Sequence, residues 1–230
     1  MRSIFLFLFY IAFSVPSLCY SQHESKPNII IILADDLGWG DVGYHGSSIK
    51  TPNIDQLTTE GIELNRFYTA AGGVRVPAII KWPKGFKGIK KTDQVMGFVD
   101  VMPTLLDIID SKAPLKNELD GISVKDVLIG KKAFIPRNLF LGSGAIINHD
   151  WKLIEASSLN PKMKINEDQF FHISMDVSEK NNVKEQYLEE YKVLKKELIK
   201  YRTIQTSQTV SPYHEGRESF IAPKNWQITN

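Results

Sequence analysis

Residues 28–34 read NIIIILA, and the stretch at 35–41, which reads DDLGWGD, follows at once. The first stretch is a continuous β-branched run of strand length with apolar residues on both faces, which is typical of a buried parallel strand. The second is a polar, glycine-rich loop at the carboxyl end of that strand, where open parallel sheets bind their ligands. Together they predict an α/β fold with a candidate site at the tip of its first strand.

Two further strands are predicted in the first half of the chain, over 62–68 and 76–80. Only about seven residues join them, whereas a parallel crossover needs about a dozen or more, usually with a helix. These two strands therefore form an antiparallel hairpin, or a piece of chain is missing between them.

Helix signals accompany these strands. Pro52 lies near the first turn of a predicted helix over 53–60, and Gly61 is expected to end it. Asp100 is expected to cap a second helix that runs to about Ile109.

The second half of the chain has a different pattern, which predicts a small α+β subdomain. Its short strands are separated by Gly, Asn and Asp, and one long amphipathic helix follows them. The strands are predicted over 138–141, 145–147, 151–154 and 169–173, and the helix over 183–204.

Composition excludes several classes of protein. With 43% hydrophobic and 23% charged residues the 230-residue chain is neither disordered nor a coiled coil. The net charge of +2, from 28 basic and 26 acidic residues, gives no reason to expect a nucleic-acid partner. The single cysteine, Cys19, excludes an internal disulfide framework and a cysteine-built zinc site.

Residues 1–21 have the pattern of a secretory signal, with a positive start at Arg2, an apolar run over 4–15 and small residues before a cleavage point after Ser21. The apolar run is shorter than the roughly 20 residues of a membrane span, so no transmembrane segment is expected. The chain is therefore expected to be exported, to a periplasm or outside the cell. The rival interpretations are a membrane anchor and a lipid-anchored Cys19.

Asp35 and Asp36 are the candidate metal ligands. Two adjacent acids at a strand tip repel each other unless a cation lies between them, and a hard divalent cation such as calcium suits carboxylate oxygens. The alternative is a solvated acidic turn in which Asp36 or Asp41 caps backbone groups.

The remaining candidates have weaker patterns. His45 and His149 are isolated in sequence, without surrounding acids, and neither is expected to be catalytic. The Gly72–Arg75 stretch could place a guanidinium near an anion, but a tight turn with an exposed arginine is favoured.

The string from Lys26 to Asp41 resembles the start of the sulfatase family. The segment from Thr51 to Tyr68 continues this resemblance. Later stretches are also similar to the family and extend the likeness to about residue 200: 72–83, 100–106, 120–121, 150–154 and 170–182.

The resemblance implies hydrolysis of sulfate esters, usually with calcium, on an alkaline-phosphatase-like α/β fold. The implied architecture is a truncated sulfatase sheet followed by the small α+β subdomain, and the implied partners are sulfate esters or sulfated glycans. Only Asp35 and Asp36, the first metal-ligand pair, match the family's site residues.

The family's catalytic residues have no counterpart here. The nucleophile is a formylglycine made within a Cys/Ser-x-Pro/Ala-x-Arg motif, expected soon after Tyr68, but Ala70 and Ala71 run directly into Gly72. Cys19 lacks the following Pro and Arg, and the stretch that begins at Ser111 ends in Leu instead of Arg. The Gly-Lys-Trp-His motif is absent, and no Asp is followed by Asn, so the Asp-Asn pair of the metal site is absent too. No catalytic or cofactor-binding residue is therefore assigned.

The predicted organisation is a signal peptide, an interrupted sulfatase α/β domain, the C-terminal α+β subdomain and a tail: 1–21, 22–136, 137–204 and 205–230. The predicted function is that of a sulfuric ester hydrolase by lineage that is inactive as it stands. The alternatives are a non-catalytic sulfatase-like binding protein and a non-functional remnant of a deletion, a splice form or a faulty gene reading.

Overall fold

The computed structural model describes residues 27–69, 75–86, 88, 90–142, 144–156 and 164–204. The predicted signal over 1–21, the Ala70–Gly72 junction and the tail from residue 205 lie outside the described residues. The chain divides into two compact units, Met1–Ala34 and Asp35–Asn230. The secondary structure is mixed α/β, as predicted, and all regular elements described below belong to the second unit.

The helices and strands are short. The helices are α1 (Pro52–Glu60), α2 (Val101–Ile108), α3 (Lys125–Leu128) and α4 (Leu188–Arg202). The strands are β1 (Ile62–Leu64), β2 (Phe67–Tyr68), β3 (Ile79–Ile80), β4 (Lys91–Thr92), β5 (Met96–Gly97), β6 (Leu139–Gly142), β7 (Ala145–Ile147), β8 (Trp151–Ile154) and β9 (Gln169–His172). Single turns of 3₁₀ helix occupy Trp39–Asp41, Gly43–His45 and Phe98–Asp100. Within the described residues, no helix has the length and apolar character needed to cross a membrane.

The predicted strand over 28–34 is wrong. Residues 27–34 contain no strand, and the side chains of Ile30 and Ile32 are 84% and 85% exposed. A β-branched run has the propensity for a strand, but it becomes one only when a neighbouring strand bonds its N–H and C=O groups. This run has no ladder partner in the part of the chain that the structure describes.

The hairpin alternative is the one observed for the two strands joined by a short connection. β1 pairs antiparallel with β3, with Ile62 opposite Ile80, and Tyr68 forms an antiparallel bridge with Arg75. On its other edge the same segment pairs in parallel, β1 with β4 and β2 with β5. The segment over 62–68 is therefore central, and β4 and β5, which sequence patterns did not predict, complete its pairing.

A break at Asn65 and Arg66 divides the predicted strand into β1 and β2. Glu63 pairs with Lys91 before the break and Phe67 with Met96 after it, so the parallel register shifts by one residue. Asn65 and Arg66 therefore oppose three residues, 93–95, and the extra residue lies in the segment between β4 and β5. An extra residue of this kind interrupts the ladder and bends the chain locally.

The second-half sheet matches its prediction closely. Its order is β6-β7-β8-β9 with every neighbouring pair antiparallel. α4 packs on one face, where a buried cluster forms the core: Ile146, Leu153, Phe170, Leu194 and Leu198. The helix begins at Leu188, later than predicted, because turns at 184–187 precede it.

Asp100 stands at the N-cap position of α2, but its side chain makes no capping bond to that helix. The carboxylate accepts hydrogen bonds from the backbone N–H groups of Gly97 at 2.8 Å and Ile122 at 2.9 Å, and it pairs with Arg137. The predicted cap is therefore a buried junction between three stretches of chain.

Candidate functional site

Asp35 and Asp36 lie together in an exposed bend. Asp36 has a φ of 52°, in the left-handed region that a short polar side chain tolerates better than most. Of the two acids suggested as backbone caps, Asp41 is the one that caps, because its Oδ2 accepts a hydrogen bond from the N–H of Gly38 at 2.8 Å. The carboxylate pair is therefore placed in solvent rather than in a cleft.

Asp35 and Asp36 by themselves supply too few ligands for calcium. It takes six to eight oxygen ligands, and two carboxylates supply at most about four. In the described part of the chain, no group of three or more His, Cys, Asp or Glu side chains is placed to hold a metal ion.

His45, predicted to lie apart from acids, contacts one. Its Nδ1 lies 2.6 Å from the carbonyl oxygen of Trp39 and its Nε2 lies 3.0 Å from Oε1 of Glu63, while its ring stacks on the Trp39 ring at 3.8 Å. Both ring nitrogens therefore face hydrogen-bond acceptors. Lys91 also approaches Glu63 at 2.9 Å, and the group holds Trp39 in place.

Arg75 is half-buried, so the prediction of an exposed arginine is wrong. Its guanidinium lies 4.3 Å from the centre of the Trp39 ring, within the range of a cation–π contact. Its Nε donates to the carbonyl oxygen of Asn65 at 2.6 Å, and its Nη2 donates to the side-chain oxygen of the same residue. Burial lowers the pKa of Arg75, although an arginine remains charged at neutral pH.

A pocket of about 150 Å³ lies beside this arginine. Its walls come from the break between β1 and β2, from Arg75, from the segment between β4 and β5, and from the chain that follows β9. The lining residues are Asn65, Arg66, Tyr68, Arg75, Asp93, Ile173, Ser174, Val177 and Glu179.

Sequence reasoning missed Arg66, the most buried charge of this pocket, although a signal was present. The predicted strand over 62–68 contains two consecutive polar residues, Asn65 and Arg66, before Phe67 and Tyr68. Such a pair interrupts the alternation of a half-buried strand, which marks a bulge. Arg66 donates through Nη1 to the carbonyl oxygen of His149, and the His149 ring stacks on Phe134 at 4.3 Å.

A second charged cluster ties α4 to the second-half sheet. Lys195 lies 2.6 Å from Glu155 and 2.7 Å from Asp168, and Arg202 contacts Glu155 at 2.8 Å. Burial by itself would raise the pKa of Asp168, but hydrogen bonds from Lys195, from the N–H of Ala156 and from Tyr191 outweigh it and hold that pKa below its usual range. Because each charge has an opposite partner, the cluster is structural.

One segment in the first half of the chain matches a known family. The family model described as Sulfatase covers residues 27–73. Residues 27–73 are therefore similar to the sulfatase family. That segment contains Asp35 and Asp36, and it ends close to the predicted junction.

Individual sulfatases match over a similar length, 44 to 51 residues. An uncharacterized sulfatase of Schizosaccharomyces pombe is 57% identical over 51 residues, which are 22% of this chain and 9% of that protein. Arylsulfatase J of Mus musculus is 59% identical over 44 residues, covering 19% and 7%. N-acetylgalactosamine-6-sulfatase of Homo sapiens is 49% identical over 51 residues, covering 22% and 10%. The aligned segment thus spans about a tenth or less of these relatives.

One solved structure that the chain resembles comes from work on the metabolism of glycosaminoglycans by Bacteroides thetaiotaomicron. It has a TM-score of 0.47 and 25% identity, and the likeness covers 60% of this chain and 31% of that one. Another, solved with its substrate D-glucosamine-2-N,6-O-disulfate, has a TM-score of 0.41 and 24% identity, with coverage of 56% and 28%.

Proposed function

We propose that this chain is a sulfatase-family protein that does not hydrolyse sulfate esters by itself. The observation that carries the proposal is the lack of any Cys/Ser-x-Pro/Ala-x-Arg sequence in the 230 residues. Without the aldehyde hydrate made in that motif, no group accepts the sulfuryl group covalently. Without the family's Lys and His, no positioned charge stabilises the transition state.

The proposal extends to organisation and localisation. We assign β1 to β5 to the remainder of an interrupted alkaline-phosphatase-like sheet within 22–136. We assign β6 to β9 and α4 to the subdomain within 137–204. The pattern of 1–21 supports export, with the mature chain beginning at Gln22.

A non-catalytic binding role is the second candidate function. The observation that favours it is the pocket with Arg66 and Arg75, because guanidinium groups match the geometry of oxyanions. The ligands that the family resemblance suggests are sulfate esters and sulfated glycans.

The first prediction concerns activity. The purified chain, co-expressed with a formylglycine-generating enzyme, is expected to hydrolyse 4-nitrocatechol sulfate no faster than buffer, because no residue can become the nucleophile. The measurement is a colorimetric rate assay, with an arylsulfatase that retains the motif as the positive control. Turnover above background that disappears on substitution of one residue of this chain would contradict the proposal.

The second prediction concerns calcium. We expect calorimetric titration with calcium chloride to show no binding tighter than about a millimolar, since two exposed carboxylates supply too few ligands. The Asp36→Asn variant should give the same titration as the unchanged chain, and Asp110→Asn, at an exposed acid elsewhere, serves as the matched control. Micromolar affinity that Asp36→Asn alone removes would show that other residues complete the site.

A further inference from the structure

The strand break places two arginines around one pocket. Arg66 lies between β1 and β2, and Arg75 lies opposite Tyr68 across the antiparallel bridge. The same break brings Asn65 against Asp93, whose Oδ1 accepts a hydrogen bond from Nδ2 of Asn65 at 2.5 Å. One wall of the pocket therefore lies at the register shift, where the chain is paired on both edges.

The two arginines lack acidic partners. Among the described residues neither Arg66 nor Arg75 forms a salt bridge, whereas Arg137 and Arg202 both do. Arg66 is only 8% exposed, and within the described ranges its guanidinium makes one hydrogen bond, to the neutral carbonyl of His149. Buried charges in proteins are normally paired, so a guanidinium in this setting has donors and charge to offer to an anion.

The other side chains that line the pocket also bear on its ability to bind an anion. Burial raises the pKa of Tyr68 to about 12, so its phenol keeps its proton at neutral pH and is able to donate. Ser174 adds a hydroxyl to the lining. Of the two acids in the wall, Glu179 is neutralised by Lys152, whose Nζ lies 2.7 Å from both carboxylate oxygens. Asp93 is the remaining opposing charge.

Size limits what the pocket can hold. Sites for drug-sized ligands occupy about 300–1,000 Å³, and this one has about half of the lower value. It admits one small ionic group with water, while the rest of a larger molecule would remain outside.

We propose that this pocket is an oxyanion site that holds one sulfate-type group between Arg66 and Arg75. Contacts with Trp39 and Asn65 hold the guanidinium of Arg75, which lines the pocket. Binding here requires no catalytic residue, so the site is independent of whether the chain hydrolyses esters.

Titration of the full chain with sodium sulfate, by calorimetry at constant ionic strength balanced with sodium chloride, tests the site. We expect a dissociation constant of about a millimolar. Arg75→Gln should weaken binding about tenfold or more, because a charged two-pronged donor is lost. Lys112→Gln is the matched control: it removes the same charge from a side chain that is 81% exposed, and it should leave the affinity unchanged.

A second variant, expected to change the sulfate affinity in the opposite direction, keeps the test decisive if Arg75→Gln does not fold. Asp93→Asn removes the opposing charge, retains an acceptor for Asn65, and should tighten sulfate binding about threefold or more. Asp110→Asn, an equal charge change at an exposed site, should not. No sulfate-specific heat up to about 20 mM, or unchanged affinity in both Asp93→Asn and a folded Arg75→Gln, would overturn the proposal.

A second titration, with methyl sulfate, distinguishes two sources of the bound group: a sulfate ester and free inorganic sulfate. Comparable affinity for methyl sulfate would assign the pocket to the terminal group of a sulfate ester. A clear preference for inorganic sulfate would assign it to the free dianion.

Discussion

Replacing Asp100 with alanine is expected to lower the free energy of unfolding by about 3–5 kcal/mol. The carboxylate is fully buried and accepts hydrogen bonds from the N–H groups of Gly97 and Ile122 while it pairs with Arg137. Its removal leaves the guanidinium of Arg137, whose side chain is 9% exposed, without a counter-charge in the interior. Urea unfolding followed by circular dichroism measures the change.

Asp107→Ala provides the matched control for this prediction. Asp107 lies on α2 and pairs with Lys125 at 3.1 Å near the surface, where an ion pair contributes only about 0–1 kcal/mol. Asp100→Asn keeps an acceptor but removes the charge, so its loss of stability should fall between the two. A change in Asp100→Ala as small as that in Asp107→Ala would show that the three stretches joined at Asp100 are held by other contacts.

The second-half sheet was predictable because its signals are local. Short apolar runs are separated by turn residues, and the order of pairing follows the chain order from β6 to β9. The bounds of β7 and β8 agree with the prediction to the residue. The stripe on α4 was equally readable, since Leu194 and Leu198 are four residues apart and both are buried.

The first half depends on partners that no local pattern reveals. The run over 28–34 is the strongest strand signal in the chain, yet no described residue pairs with it and its isoleucines are exposed. β4 and β5 have two residues each and exist because the segment over 62–68 pairs with them. Short strands of this kind are set by tertiary contacts, which override propensity.

The two candidate sites also differ in how far the sequence predicts them. Asp35 and Asp36 were found from a sequence pattern, and their role as metal ligands stays a prediction. The pocket brings together side chains far apart in sequence, including Arg66, Asp93 and Glu179, and the one-residue register shift lies in one of its walls. A shift of that kind depends on which strands pair, so periodicity within one strand could only hint at it.

Among the described residues, truncation of an apolar side chain should cost the most stability in the core beneath α4. Phe170 has no exposed surface, stacks on Trp151 with ring centres 4.9 Å apart, and meets the edge of Tyr191 at 5.8 Å. Phe170→Ala is expected to cost about 3–5 kcal/mol, because the lost burial is accompanied by a cavity that rigid neighbours cannot fill. The aromatic pairs add to this loss, since stacked and edge-on rings interact beyond their buried area.

Urea unfolding measures this loss, and hydrogen exchange locates it. Val193→Ala truncates an apolar side chain on the exposed face of α4 and should change stability by less than about 0.5 kcal/mol. In Phe170→Ala the backbone amides of Leu153 and Leu194 should exchange faster, because β8 and α4 both pack against the lost ring. Equal stability of the two variants would mean that the sheet and α4 are held together by the Glu155–Lys195–Asp168 cluster rather than by the aromatic core.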